Sequence, residues 1–154
     1  MLTEAEKREI EAEAGRYPLR RAASIEALKI AARRSGWVSD EDLREVAGLL
    51  GMTAADLDGI ATFYNLIHRR PVGRHVIYLC NSISCWLLGC DPLAAAIGAR
   101  LGIRFGETTA DGRFTLAAVE CLGNCDHAPC LMVDDDDYGP VTLEAIDGIL
   151  KRLA

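Results

Sequence analysis

All six cysteines fall in one stretch of the sequence that begins at Cys80 and ends at Cys130. Four of them form two spaced pairs, with four residues between Cys80 and Cys85 and three between Cys121 and Cys125. Each pair follows a short run of branched and aromatic residues that is typical of a β-strand. Two strand ends of one sheet can lie side by side, so we expect the two pairs to present four thiolates to a common centre.

Four converging thiolates hold either a zinc ion or an iron–sulfur cluster. Structural zinc usually uses C-x2-C spacing, which this sequence lacks, whereas two separated pairs supply each iron of a two-iron cluster with two thiolates. The spacing therefore favours an iron–sulfur cluster, while a zinc site and buried or redox-active cysteines stay open alternatives. A thioredoxin-type dithiol is disfavoured because it requires C-x-x-C.

The remaining residues near the pairs have less specific interpretations. Cys90 and Cys130 adjoin apolar sequence outside the paired spacing, and we expect both to act as small buried hydrophobes. His127 is a candidate iron ligand by analogy with Rieske centres, but four cysteines already complete a ligand set. Gly89 and Gly123 fit either simple turns or a close approach of backbone N–H groups to the cluster sulfurs.

The first 70 residues predict four helices from their start and stop signals. Small polar residues mark three starts and glycines mark two ends, and a further helix is expected over about 21–34. The segment RRPVGR (69–74) predicts a linker, which gives a helical bundle over 1–72 and a second domain over 73–154. The capping residues are Thr3, Gly15, Ser39, Gly51 and Thr53.

The second half predicts a mixture of strands and helices. Strands are expected at HVIYLC (75–80), FTLAAVE (114–120) and CLMVD (130–134), and Asp134–Asp137 is expected to be a solvated turn. One helix is predicted to begin with Asp91 as N-cap and Pro92 at the first helical position and to run to about Leu101. A last helix is predicted after Thr142. The fold class predicted for the whole chain is α+β.

Composition excludes several functions. The 154 residues carry a net charge of −6, and no cluster of basic residues is longer than a pair, which argues against nucleic-acid binding. No apolar run approaches the roughly 20 residues of a membrane span. The charged first 15 residues lack the apolar core of a signal peptide, so we expect a cytoplasmic protein without a direct membrane span.

Two segments that contain the cysteine pairs, VIYLCNSISCWLLG (76–89) and VECLGNCDHAP (119–129), resemble a known family. The segments 21–51 and 59–77 are also similar to it. The family is the 24-kDa-type subunit of respiratory complex I, the bacterial E subunit of NADH:quinone oxidoreductase. The resemblance covers nearly the whole chain and includes both cysteine pairs. This chain departs from the family pattern at Asn124, where alanine is frequent, and in having cysteine at positions 90 and 130. These departures do not involve the ligands, and they leave open whether Cys90 and Cys130 modulate the cluster.

The resemblance implies a helical N-terminal bundle followed by a thioredoxin-like α/β domain with one [2Fe–2S] cluster. The family's four ligands carry over to Cys80, Cys85, Cys121 and Cys125. The implied partners are a neighbouring flavin- and NADH-binding subunit and an iron–sulfur-rich large subunit. The implied location is the part of the complex that is peripheral to the cytoplasmic side of the inner membrane.

The sequence contains neither G-x-G-x-x-G nor a P-loop, so we expect FMN and NADH on a partner rather than on this chain. The predicted function is that of an electron-transfer subunit of a proton-translocating NADH dehydrogenase, without a complete active site of its own. Related subunits also serve NAD-dependent formate dehydrogenases and hydrogenases, and a structural zinc adaptor with four cysteine ligands is the alternative from a different class.

Overall fold

The computed structural model describes residues 1–153, and the chain divides into two compact units, Met1–Pro71 and a second that begins at Val72. Residues 1–153 contain seven α-helices and four strands, which we number in chain order. The helices are α1 (Glu4–Ala14), α2 (Ser24–Ala32), α3 (Asp40–Leu50), α4 (Ala54–Phe63), α5 (Ile83–Leu87), α6 (Cys90–Leu101) and α7 (Leu143–Arg152). The strands are β1 (His75–Cys80), β2 (Phe114–Val119), β3 (Leu131–Val133) and β4 (Asp136–Tyr138). The predicted α+β class is confirmed.

The first unit is helical, and local capping sets where its helices begin. Thr3 forms a capping box with Glu6 at the start of α1, because each residue's side chain bonds the other's backbone N–H. Ser39 and Thr53 cap α3 and α4 as predicted. The helix expected over 21–34 is shorter, since a 3₁₀ turn at Arg20–Ala23 precedes α2.

The core of the first unit is apolar and closely packed. Its fully buried side chains come from all four helices and include Ile10, Leu28, Val46 and Leu57, each with no measurable exposure. Within residues 1–153 no single helix has the length and hydropathy of a membrane span, although α3 and α4 taken together, bent by 112° at their break, meet that test.

The second unit contains a four-stranded sheet in the order β2-β1-β3-β4 within its described residues. Strand β1 pairs parallel with β2 and antiparallel with β3, and β3 and β4 form an antiparallel hairpin. One sheet face packs side chains such as Leu79 and Phe114 against Ile97 of α6 and Ile146 of α7. The other face carries Cys80 among a separate set of buried side chains.

Three predictions for the second unit are wrong in detail. Helix α6 begins at Cys90 with Gly89 as N-cap, rather than at Asp91, because Gly89 adopts the left-handed conformation (φ +98°) that ends the preceding turn. A short helix, α5, contains the second cysteine, Cys85, and was not predicted. The turn expected over Asp134–Asp137 covers only Asp134 and Asp135, since β4 begins at Asp136 and pairs with β3.

Candidate metal centre

The two cysteine pairs lie at the same edge of the sheet because of the pairing of β1 with β2. These strands are parallel, and the last residue of β1, Cys80, stands opposite Val119, the last residue of β2. The ladder continues for one more bond, from the backbone N–H of Asn81 to the carbonyl of Val119 at 2.9 Å. The loop that follows β2 and contains Cys121 therefore starts beside Cys80. The carboxyl ends of parallel strands are a usual place for binding sites.

Each of the four predicted ligands has a distinct position. Cys80 ends β1 and is 1% exposed, and Cys85 lies inside α5 and is also 1% exposed. Cys121 and Cys125 are exposed, in the loop after β2 and in the 3₁₀ turn Cys125–His127. The site thus has a buried pair of thiols on one side and a solvent-facing pair on the other.

A fifth cysteine joins the buried pair. The sulfurs of Cys80, Cys85 and Cys130 all lie within 4.8 Å of one another, and the Cys85 and Cys130 sulfurs are 3.7 Å apart. The backbone N–H of Cys80 also donates to the carbonyl of Cys130 at 3.2 Å. Sequence reasoning placed Cys130 outside the site, as a packing residue. It is buried as expected, but its sulfur lies in the thiol cluster.

A signal for Cys130 was present in the sequence. Cys80 ends the first predicted strand, and Cys130 opens the run CLMVD (130–134). If those strands pair antiparallel, the end of one meets the beginning of the other, and the two cysteines become neighbours. The pairing of Leu79 with Leu131 has this geometry. Antiparallel pairing of the strand at 75–80 with the strand at 130–134 had not been predicted.

Cys90 was also expected to pack, and its position fits that interpretation. Its side chain is 2% exposed, and its sulfur lies 3.7 Å from a carboxylate oxygen of Asp91. Cys90 is not one of the three cysteines whose sulfurs cluster. His127 contacts Asn124 at 3.0 Å and Asp126 at 3.2 Å through Nδ1.

The surroundings of the Cys80 sulfur lower its pKa, although the same sulfur lies 3.9 Å from the carbonyl oxygen of Glu120. Burial disfavours its ionised form, but hydrogen bonds from the backbone of Ser82, from the Cys85 thiol and from the backbone of Leu122 outweigh that cost and hold the pKa of Cys80 below its ordinary value. A lowered pKa favours the thiolate, which is the form that ligates metals. The site is therefore arranged to hold negative charge on Cys80.

Burial and neighbouring thiols raise the pKa values of Cys130 and Cys125. Burial raises the pKa of Cys130, and the neighbouring Cys85 thiol raises it further. The pKa of Cys125 is raised first by its hydrogen bond with Cys121 and then by the charges of Cys121, Cys80 and Cys85. Cys125 thus interacts with all three of the other predicted ligands. Bringing four thiolates together without a cation is unfavourable, and a bound metal centre would remove that repulsion.

Gly123 combines both of the roles that the sequence left open. Its φ of +80° lies in the left-handed region that favours glycine, so it forms a turn between the exposed cysteines. Its backbone N–H also donates to the sulfur of Cys121 at 3.3 Å. Such bonds stabilise a thiolate ligand and tune a metal centre.

The donor set fits an iron–sulfur cluster. All six cysteines are free thiols, and soft thiolates are the donors that such clusters use. Of the four predicted ligands, Cys80 and Cys85 lie in the close group of sulfurs that the described residues form, together with Cys130, whereas Cys121 and Cys125 are outside that group, in the exposed loop that starts beside Cys80. The assignment of Cys80, Cys85, Cys121 and Cys125 as the four ligands stays a prediction.

Comparisons with known proteins agree with this donor set. A family model described as thioredoxin-like [2Fe-2S] ferredoxin matches residues 10–154. The E subunit of the NADH-quinone oxidoreductase of Pseudomonas aeruginosa is 50% identical over 153 residues, which cover 99% of this chain and 90% of that protein. The corresponding E subunit of Escherichia coli K12 is 48% identical over 151 residues, which cover 98% and 91%.

A solved structure shares the fold. The NAD+-reducing [NiFe]-hydrogenase in its air-oxidized state superposes with a TM-score of 0.73 over 85% of this chain, at 20% identity. The match spans 22% of that hydrogenase chain, and at this identity it shows the fold alone. The family model and the two E subunits match nearly the whole sequence. The chain therefore belongs to the thioredoxin-like [2Fe–2S] ferredoxin family, in the group formed by the E subunits of bacterial NADH-quinone oxidoreductases.

Proposed function

We propose that this chain is the electron-transfer subunit of an NADH:quinone oxidoreductase and holds one [2Fe–2S] cluster on Cys80, Cys85, Cys121 and Cys125. When bound, such a cluster accepts and returns one electron at a time. The observation that carries the proposal is that β1 and β2 end side by side, so that the loop with Cys121 and Cys125 starts beside Cys80, in a chain about half identical to named E subunits over nearly its full length.

Buried and exposed residues of the chain would hold the cluster in different ways. Cys80 and Cys85 lie in the buried wall of the site, which limits solvent on that side. The backbone N–H of Gly123 donates to the sulfur of Cys121 at 3.3 Å and would offset part of its negative charge, and the backbone of Ser82 and Leu122 lowers the pKa of Cys80. The exposed loop with Cys121 and Cys125 would face the electron partner.

An exposed apolar surface beside the site supports a role within an assembly. Ile83, Trp86, Leu87 and Leu88, in and just after α5, are 54–70% exposed although all four are large hydrophobic residues. Contiguous exposed apolar residues mark interaction surfaces. We infer that a flavin- and NADH-binding subunit covers this region and exchanges single electrons between its FMN and the cluster, with an iron–sulfur-rich large subunit beyond it.

The proposed partners also indicate where in the cell the chain works. We infer that the chain works in the peripheral part of the complex, on the cytoplasmic side of the inner membrane, through its partners rather than through a membrane span of its own. The alternative within the same class is a diaphorase-module subunit of an NAD-dependent formate dehydrogenase or hydrogenase. The high identity to E subunits favours the quinone-linked complex.

Metal analysis of the full chain tests the cluster assignment. Anaerobically purified protein should contain two irons and two acid-labile sulfides per chain and should give a paramagnetic signal after reduction. Cys121→Ser should lose most of the iron and sulfide, whereas the matched variant Cys90→Ala should keep both. One tightly bound zinc without sulfide would refute the proposal and favour a structural zinc adaptor.

Isolation of the assembly tests the partner assignment. An affinity-tagged chain expressed in its own host should co-purify with a flavoprotein that oxidises NADH and with membrane-bound quinone-reducing subunits. Co-purification with a formate dehydrogenase or hydrogenase subunit would select the alternative instead.

A further inference from the structure

The buried thiol of Cys130 has no role in the four-ligand assignment, yet it is the nearest neighbour of a proposed ligand. Its sulfur lies 3.7 Å from that of Cys85, within the range of a hydrogen bond between two sulfur atoms. The two side chains are each 1% exposed, so no bulk water competes for the contact. Cys130 is also anchored through its carbonyl, which accepts from the backbone N–H of Cys80.

We propose that Cys130 is a positioning residue that donates an S–H hydrogen bond to the sulfur of Cys85 and thereby raises the reduction potential of the centre. This inference rests on the proposed function, because it takes Cys85 as a ligand. Cys130 is a free thiol outside the proposed ligand set, so its S–H group can donate, whereas the sulfur of a coordinated Cys85 is a thiolate and can only accept.

The sign of the effect follows from charge. Reduction adds one negative charge to a centre that already carries thiolates, and part of this charge lies on the ligand sulfurs. A donor to Cys85 stabilises the reduced form more than the oxidised form and so raises the potential. Because the bond is buried, its effect is not screened by solvent.

Cys90 offers a matched control. It is 2% exposed and lies in the same buried set of side chains as Cys130, so removal of its sulfur makes a similar cavity. Its nearest polar contact is a carboxylate oxygen of Asp91 rather than a ligand sulfur. A cavity effect should therefore appear in both alanine variants, whereas a hydrogen-bond effect should appear only at Cys130.

The test is a redox titration of the loaded full chain, monitored by the paramagnetic signal of the reduced centre. Cys130→Ala and Cys130→Val remove the donor, and each should lower the ratio of reduced to oxidised centre at a fixed potential by about three- to tenfold, which for one electron is roughly 30–60 mV. Cys130→Ser keeps a donor and should lie closer to wild type than the alanine variant. Cys90→Ala should titrate like wild type.

Each other outcome has a defined meaning. Equal potentials for wild type and a loaded Cys130→Ala or Cys130→Val would overturn the proposal, as would an equal shift in Cys90→Ala. Loss of iron and sulfide from every Cys130 variant, with Cys90→Ala still loaded, would also overturn it, because Cys130 would then be needed to hold the cluster. Absence of iron and sulfide from wild type would instead refute the proposed function.

Discussion

Gly139 stands where the chain returns beside the cysteine site, and it has no room for a side chain. A Cβ atom at this position would lie 2.4 Å from the carbonyl oxygen of His127, 3.0 Å from the His127 Cβ and 3.2 Å from the Cys130 Cβ. The closest of these atoms belongs to the backbone, so rotation of a side chain cannot relieve the contact. The φ of Gly139 lies outside the left-handed region, so alanine is excluded here by lack of space rather than by backbone conformation.

The perturbation to test is Gly139→Ala. An ordinary carbon–oxygen contact needs roughly 1 Å more than the space available, so the segment with His127 and Cys130 must shift. Overpacking of this kind costs about 1–3 kcal/mol in the free energy of unfolding. For a chain of this length, each kcal/mol lowers the melting temperature by about 2–4 °C, so we expect a decrease of about 2–12 °C.

Gly148→Ala is the matched control because the same substitution there meets open space. Gly148 lies inside α7, and a Cβ atom added to it would have no neighbouring atom within 4 Å in the described part of the chain. Alanine is a better helix former than glycine by about 1 kcal/mol, so this variant should melt slightly higher than wild type. The two Gly→Ala substitutions should therefore have effects of opposite sign.

Far-UV circular dichroism during heating measures both effects on protein with equal metal content. A second readout follows from the position of Gly139: a displaced Cys130 should weaken its contact with the Cys85 sulfur, so the reduction potential of Gly139→Ala should shift towards that of Cys130→Ala. A Gly139→Ala variant that melts at or above the wild-type temperature would refute the reasoning, since the close contact would then have no energetic consequence.

Two further predictions concern the helical unit. Thr53→Ala should lower the free energy of unfolding by about 1 kcal/mol, because Thr53 Oγ1 accepts from the Asp56 backbone N–H at 3.1 Å as the N-cap of α4. In urea denaturation, Thr62→Ala inside the same helix should lower the free energy of unfolding by less. Equal decreases in the two variants would contradict the capping role. Burial disfavours the Asp42 carboxylate, but hydrogen bonds from the chain's α-amino group and from Ser39 outweigh this and hold the pKa of Asp42 below its ordinary value. The contribution of Asp42 to stability is thus complete above about pH 4 and is lost as the pH falls through the lower folded-state pKa. The free energy of unfolding of Asp42→Asn should therefore decrease less steeply on acidification than that of wild type. An identical pH dependence in both proteins would contradict this prediction.

Local signals in the sequence determined most of the secondary structure. The N-caps Thr3, Ser39, Thr53 and Thr142 are confirmed, because a side-chain oxygen and a backbone N–H two or three residues later make the same bond in any context. The bounds of β1 are also confirmed. The helix start predicted from Asp91 and Pro92 is wrong, because the left-handed conformation of Gly89 places the start of α6 at Cys90.

The division of the chain at residues 72 and 73 into two domains stays a prediction, although the two compact units meet one residue earlier, between Pro71 and Val72. The cluster ligands likewise stay predicted, since the sulfurs that lie within 4.8 Å of one another are those of Cys80, Cys85 and Cys130. Spacing along the chain identified the two pairs but gave no information on which other cysteines would be near them.

Local sequence patterns were therefore enough to predict that two cysteine pairs follow strands, and the surrounding residues identified the family. The position of β1 between β2 and β3 became known from the fold, and it places Cys121 and Cys125 on one side of Cys80 and Cys130 on the other. The physical reason is that strand order and register depend on packing between residues far apart in the chain, whereas caps and strand propensities act over a few residues. For that reason the contact of Cys130 with Cys85 was not predicted, and the site formed by the two cysteine pairs stays a prediction.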